Sequence, residues 1–232
     1  MTTKAAQILV VIPHPDDAEF GAAGTVARWI RKGKEVVYVV CTNGDKGTSD
    51  PEMTSARLAK IREKEQRAAA KVLGVREVVF LRYPDQRLED TPKFRKDIVR
   101  AIRQFKPDTV VTCDPYKRYT THRDHRITGQ VTLDAVYPTA RDLLAFPDLI
   151  EQGLLPHAVK EVFLWGSDEP NYPSDITDTF ELKIAALLYH KSQFGNRPTL
   201  EIVERVKQWS KMSVKGKDYE LAEAFYRFES FR

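Results

Sequence analysis

Short apolar runs alternate with amphipathic stretches along most of this chain. Ile8-Leu9-Val10-Val11-Ile12 is continuous, β-branched and short, which reads as a strand buried on both faces, as in a parallel sheet. Residues 35–41, 78–81, 108–113 and 159–165 repeat the pattern and predict four more strands. Between them, apolar residues recur at helical spacing. A first helical stretch covers about 21–31 and stops at Gly33. A second follows Asp50-Pro51, read as an N-cap and first helical residue. It carries Leu58, Ile61, Ala68, Val72 and Leu73 and ends at Gly74. Thr91-Pro92 repeats the cap-plus-proline start ahead of Phe94, Ile98, Ile102 and Phe105. Three helices are expected to close the chain, over about 178–193, 199–212 and 218–228. Residues 137–156, which contain prolines, resist assignment.

This alternation predicts an α/β fold, a Rossmann-like, mainly parallel sheet flanked by helices, with right-handed crossovers. The expected core order is 3-2-1-4-5. With no internal repeat or interdomain linker, residues 1–232 read as one domain. A hydrophobic fraction of 42% supplies a sizeable core. The net charge of +4 comes from 37 basic and 33 acidic residues whose signs are interspersed, so no nucleic-acid-binding arm is expected. The run at 8–12 is too short to span a membrane, and no leader-type apolar region follows the opening residues. Cys41 and Cys113 end different strands without a C-x-x-C spacing and read as buried, reduced thiols. These features point to a cytoplasmic protein. The aromatic cluster Tyr219, Phe225, Tyr226, Phe228 and Phe231 either docks the terminal helix or joins copies of the chain into a homo-oligomer. Trp29, Trp165 and Trp209 read as packing residues.

The chemistry concentrates in two clusters. His14-Pro15-Asp16-Asp17 follows the first strand directly, and His122-Arg123-Asp124-His125 follows the fourth after a short loop. In a sheet of order 3-2-1-4-5, strands one and four are neighbours whose connections leave on opposite faces. A crevice therefore opens at their carboxyl ends, and both clusters would line it. Histidine nitrogen and carboxylate oxygen suit zinc, and three protein ligands leave the open position a catalytic site needs. Each cluster alone has an ordinary reading, since Asp17 can cap a helix and a lone histidine can sit in the core or on the surface. Their meeting at one crevice favours a metal.

The motifs then resemble the LmbE/PIG-L family of zinc-dependent N-acetylglucosaminyl deacetylases. The resemblance rests on Pro13-His14-Pro15-Asp16-Asp17-Ala18-Glu19 with Gly21, Gly24 and Thr25, and on His122-Arg123-Asp124-His125. Thr42-Asn43-Gly44-Asp45, Arg62-Glu63-Lys64-Glu65, Pro84-Asp85 and His190-Lys191-Ser192-Gln193 also fit. It implies His14, Asp17 and His125 as ligands of one Zn2+, or of another divalent metal such as Fe2+. It implies Asp16 as the general base that activates a zinc-bound water. His122 becomes a general acid or oxyanion stabiliser oriented by Asp124. Arg62, His190 and Gln193 fall on the substrate side. Where this chain has Arg123, the family usually has proline.

The implied reaction is hydrolysis of an N-acetyl group, a linear amide, on an N-acetylglucosamine-type sugar conjugate. An amidase acting on a non-sugar amide and a non-catalytic binding module remain alternatives; Asp16, which binds no metal in this scheme, speaks against the latter. A dinucleotide-binding protein needs a G-x-G-x-x-G turn after the first strand. His-Pro-Asp-Asp there would put negative charge where a pyrophosphate must sit.

Overall fold

The computed structural model describes residues 6–195, 197–214 and 216–230. A seven-stranded sheet has the order β3-β2-β1-β4-β5-β7-β6. Its strands are β1 (Ile8–Ile12), β2 (Val36–Thr42), β3 (Glu77–Tyr83), β4 (Thr109–Cys113), β5 (Glu161–Trp165), β6 (Tyr172–Asp175) and β7 (Ala222–Glu229). The first five are parallel in the order expected from the sequence. β7 then runs antiparallel to β5 and β6.

Helices cover both faces, which is why the strands read as unbroken apolar runs. Leu9, Val11, Val37, Val39, Val110 and Val162 face α4 (Pro92–Phe105) and α5 (Arg123–Val136), packing on Phe94, Ile98, Ile102, Val131 and Ala135. Ile8, Val10, Ile12, Val36, Tyr38 and Val40 face the other side. There they meet α1 (Asp17–Gly21), α2 (Ala23–Arg31), α3 (Ser55–Leu73) and α7 (Phe180–Leu187). Three further helices are α6 (Pro147–Glu151), α8 (Lys191–Phe194) and α9 (Thr199–Met212), the last packing Ile202 and Val206 against α7.

Four expectations are corrected. Residues 218–228 form no helix; most of them belong to β7. Phe225 and Phe228 sit at helical spacing, but in the strand they serve opposite faces, Phe225 packing 5.6 Å from Phe163. Asp50-Pro51 is a turn, and the cap of α3 is Thr54, whose hydroxyl accepts the Arg57 amide. The expected helix at 178–193 is broken between Leu187 and Lys191, which turns His190 inward. Trp209 is 47% exposed and stacks on Phe20 rather than filling a core. Phe231 lies outside the described residues. Cys41 and Cys113 are free and buried. No helix among the described residues is long and apolar enough to cross a membrane.

Candidate active site

β1 and β4 are hydrogen-bonded neighbours, and their chains leave towards opposite faces, into α1 and α5. This is the switch point at which the crevice was expected. The His14 and His122 rings lie 4.5 Å apart there, and those of His122 and His125 5.1 Å apart. The second motif is not a loop: it opens α5, with His122 as N-cap and His125 one turn along. Gly129 lets α5 approach β4, because a Cβ there would meet the Cys113 carbonyl oxygen at 2.5 Å. Arg123 occupies the first helical position, where proline is favoured because its missing N–H costs nothing. Its side chain instead donates to the Leu88 carbonyl at 3.0 Å.

Asp17 bridges the clusters. One oxygen lies 3.0 Å from His14 Nδ1 and the other 3.3 Å from His125 Nε2. Burial alone would raise its pKa, but the His125 and His14 rings hold it well below the usual carboxylate range. Burial and the adjacent Asp17 charge push Asp16 up to about 7, against the pull of Arg62. The donor atoms of His14, His122 and His125 lie within 4.8 Å of one another, as do those of His14, Asp85 and Asp124. Two mutually repelling carboxylates beside converging imidazoles make a donor set that a divalent cation fits.

Asp124 departs from expectation. Its carboxylate does not orient His122. It lies 3.3 Å from His14 Nε2 and accepts the Gln86 and Leu88 amides at 2.6 and 3.2 Å. His122 Nδ1 accepts the Asp124 main-chain N–H at 3.3 Å. That bond leaves the neutral ring's hydrogen on Nε2. Burial together with His14 and His125 lowers the His122 pKa, favouring the neutral form.

Arg62 is buried, not solvated. It donates to the carbonyls of Pro15 at 2.6 Å and Gly44 at 3.3 Å and lies 3.4 Å from Asp16. Gly44, at φ 59, admits this guanidinium only because it lacks a Cβ, which would meet it at 2.9 Å. His190 is fully buried against Glu19, with Nε2 3.1 Å from its carboxylate, so it does not line an open cleft. Gln193 is half-buried and faces Gly47 at the rim. Asp85 Oδ1 lies 3.1 Å from His14 Nε2. Sequence reasoning gave no role to Asp85, Glu19 or Gln66; the only signal was that Asp85 and Glu19 fell inside family-like stretches. Trp165, read as packing, stacks edge-on against His125 with centroids 5.6 Å apart.

Residues 9–136 match the family described as PIG-L, GlcNAc-PI de-N-acetylase. The chain belongs to this family. The diacetylchitobiose deacetylase of Thermococcus kodakarensis is 37% identical over 81% of this chain and 70% of its own length. A probable N-acetyl-alpha-D-glucosaminyl L-malate deacetylase 2 of Bacillus anthracis is 28% identical, covering 83% of each chain. Among solved structures, the N,N'-diacetylchitobiose deacetylase of Pyrococcus horikoshii superposes with a TM-score of 0.91 at 32% identity, over 97% of this chain and 84% of that one. The PIG-L match spans β1 to β4 and both clusters.

Proposed function

We propose that this chain is a metal-dependent deacetylase that hydrolyses the N-acetyl group of an N-acetylglucosamine-type sugar conjugate. The observation that carries the reading is the bridge Asp17 makes between His14 and His125 with Asp16 beside it. The names of the relatives support the sugar substrate. His14, Asp17 and His125 would hold the metal, Zn2+ or another divalent ion. When bound, such an ion supplies Lewis acidity and lowers the pKa of water from 15.7 towards ~7.

The chain's own residues supply the rest. Asp16 takes a proton from the attacking water and returns it to the leaving amine nitrogen, which is a poor leaving group unprotonated. Its raised pKa suits a base working near neutrality. His122 faces the crevice with its Nε2–H and donates to the developing oxyanion. The lowered His122 pKa favours this neutral-donor role over that of a general acid. Arg62 keeps Asp16 from drifting, and Gln193 would meet the substrate from beside Gly47.

The test pairs a substrate panel with one substitution. The zinc-loaded protein is offered acetamido sugars and acylated non-sugar amines, with products read by mass spectrometry. Acetate and a free amino sugar are expected. Asp16→Asn should keep its metal and lose on the order of 10²-fold or more in kcat. Cleavage of non-sugar amides alone, or near-normal turnover by Asp16→Asn, would overturn the reading.

A further inference from the structure

We propose that Gln66 is a positioning residue, which together with Arg62 clamps the Pro15–Asp16 peptide plane and so aims the Asp16 carboxylate. The inference rests on Asp16 being the base. Asp16 has φ 102 and ψ −24. A residue with a side chain is rarely found there and stays only when its surroundings hold it. A peptide plane can be gripped at two atoms, its C=O and its N–H. Here both are taken: Arg62 Nη2 donates to the Pro15 carbonyl at 2.6 Å, and the Asp16 N–H donates to Gln66 Oε1 at 2.9 Å. Arg62 and Gln66 are one turn apart on α3, so the two grips come from one rigid helix face.

The Gln66 amide has only one useful orientation. Its Nε2 donates to both Glu19 oxygens, at 3.0 and 3.1 Å. Turned over, it would set its NH2 against the Asp16 N–H and its oxygen against a carboxylate. Glu19 is in turn fixed by His190 Nε2 at 3.1 Å. Gln66, Glu19 and His190 are each 0% exposed. Water therefore cannot replace a lost contact without opening the core, and the chain His190–Glu19–Gln66 presents its acceptor to a single target. His190 thus acts here from behind the site.

The experiment is a double-mutant cycle on the metal-loaded protein. Gln66→Met keeps the volume and removes the acceptor. Its kcat should fall about tenfold, with KM and metal content unchanged, as expected for a misaimed group. Added to Asp16→Asn, it should cause no further loss, because its effect passes through Asp16. The Asp16 amide should also lose hydrogen-exchange protection in Gln66→Met. If Gln66→Met does not fold, Gln66→Asn withdraws the same amide and should give the same pattern. Unchanged kcat in the variant, or an equal loss in the Asp16→Asn background, would overturn the positioning role alone. Wild-type turnover by Asp16→Asn would overturn the base assignment, and this inference with it.

Discussion

The Asp124 carboxylate lies 3.3 Å from His14 Nε2, while His122 Nδ1 accepts the Asp124 main-chain N–H at 3.3 Å. Under the proposed ligand set, Asp124 therefore supports His14 and leaves His122 to the backbone. Burial opposes its charge, but the His14 ring and the Gln86 and Leu88 amides lower its pKa.

Asp124→Asn should act on metal binding before chemistry. An amide NH2 would face either His14 or one of two main-chain donors. Metal affinity is expected to fall about 10–100-fold, as for other groups that orient ligands. Titration against a chelator checks this, and an unchanged affinity with impaired kcat would restore the link to His122.

His122→Ala should keep its metal and lose about 10²-fold in kcat, as when one oxyanion donor is removed. His125→Ala should lose the metal, so zinc should no longer raise its melting temperature. Elemental analysis beside turnover separates the two. A metal-free His122→Ala would mean that His14, His122 and His125 coordinate together.

The His190–Glu19 pair gives a pH-dependent contribution to stability. Burial disfavours charge on His190, but the Glu19 carboxylate outweighs it and raises the pKa. A raised histidine contributes stability that is complete below its unfolded value of about 6.5 and is lost as pH climbs through the folded value. The melting-temperature gap between the protein and His190→Gln should thus be wider at about pH 6 than at about pH 9. Calorimetry at both values decides, and a constant gap would contradict the pairing.

Lys183 and Glu223 form a buried pair at 2.6 Å, and Glu223 also accepts the Gly24 and Thr25 amides at the start of α2. Lys183→Met should cost about 3 kcal/mol by leaving that carboxylate without its cation. Combining it with Glu223→Gln should recover part of the loss. Urea unfolding measures both, and a change below about 1 kcal/mol for Lys183→Met would refute the account.

The five parallel strands were legible because burial on both faces leaves Val and Ile at successive positions, as in β1 and β2. β6 was not, since Tyr-Pro-Ser-Asp at a sheet edge carries no period. β7 misled because three-residue aromatic spacing looks helical until its neighbours are known. The clusters at 14–17 and 122–125 could be paired from topology alone. Gln66 and Glu19 could not, because a polar residue on a helix reads as solvated until another element covers it. The resemblance paired Asp124 with His122, while the helix turns its carboxylate towards His14.

Arg123 and Asp124 hold the 86–88 segment wholly through main-chain atoms, the Leu88 carbonyl and the Gln86 and Leu88 amides. Gln86 and Arg87 expose their side chains, and Gln86 takes a left-handed φ of 66. At Gln86 and Arg87 the protein demands a fixed length of chain bent one particular way, almost indifferent to which letters spell it, whereas Leu88 is anchored in the core. Substitution at Gln86 or Arg87 should be cheap wherever the bend survives. Adding or removing a single residue between 84 and 91 would slide Asp85 off His14 and undo the crevice without touching His14, Asp17 or His125.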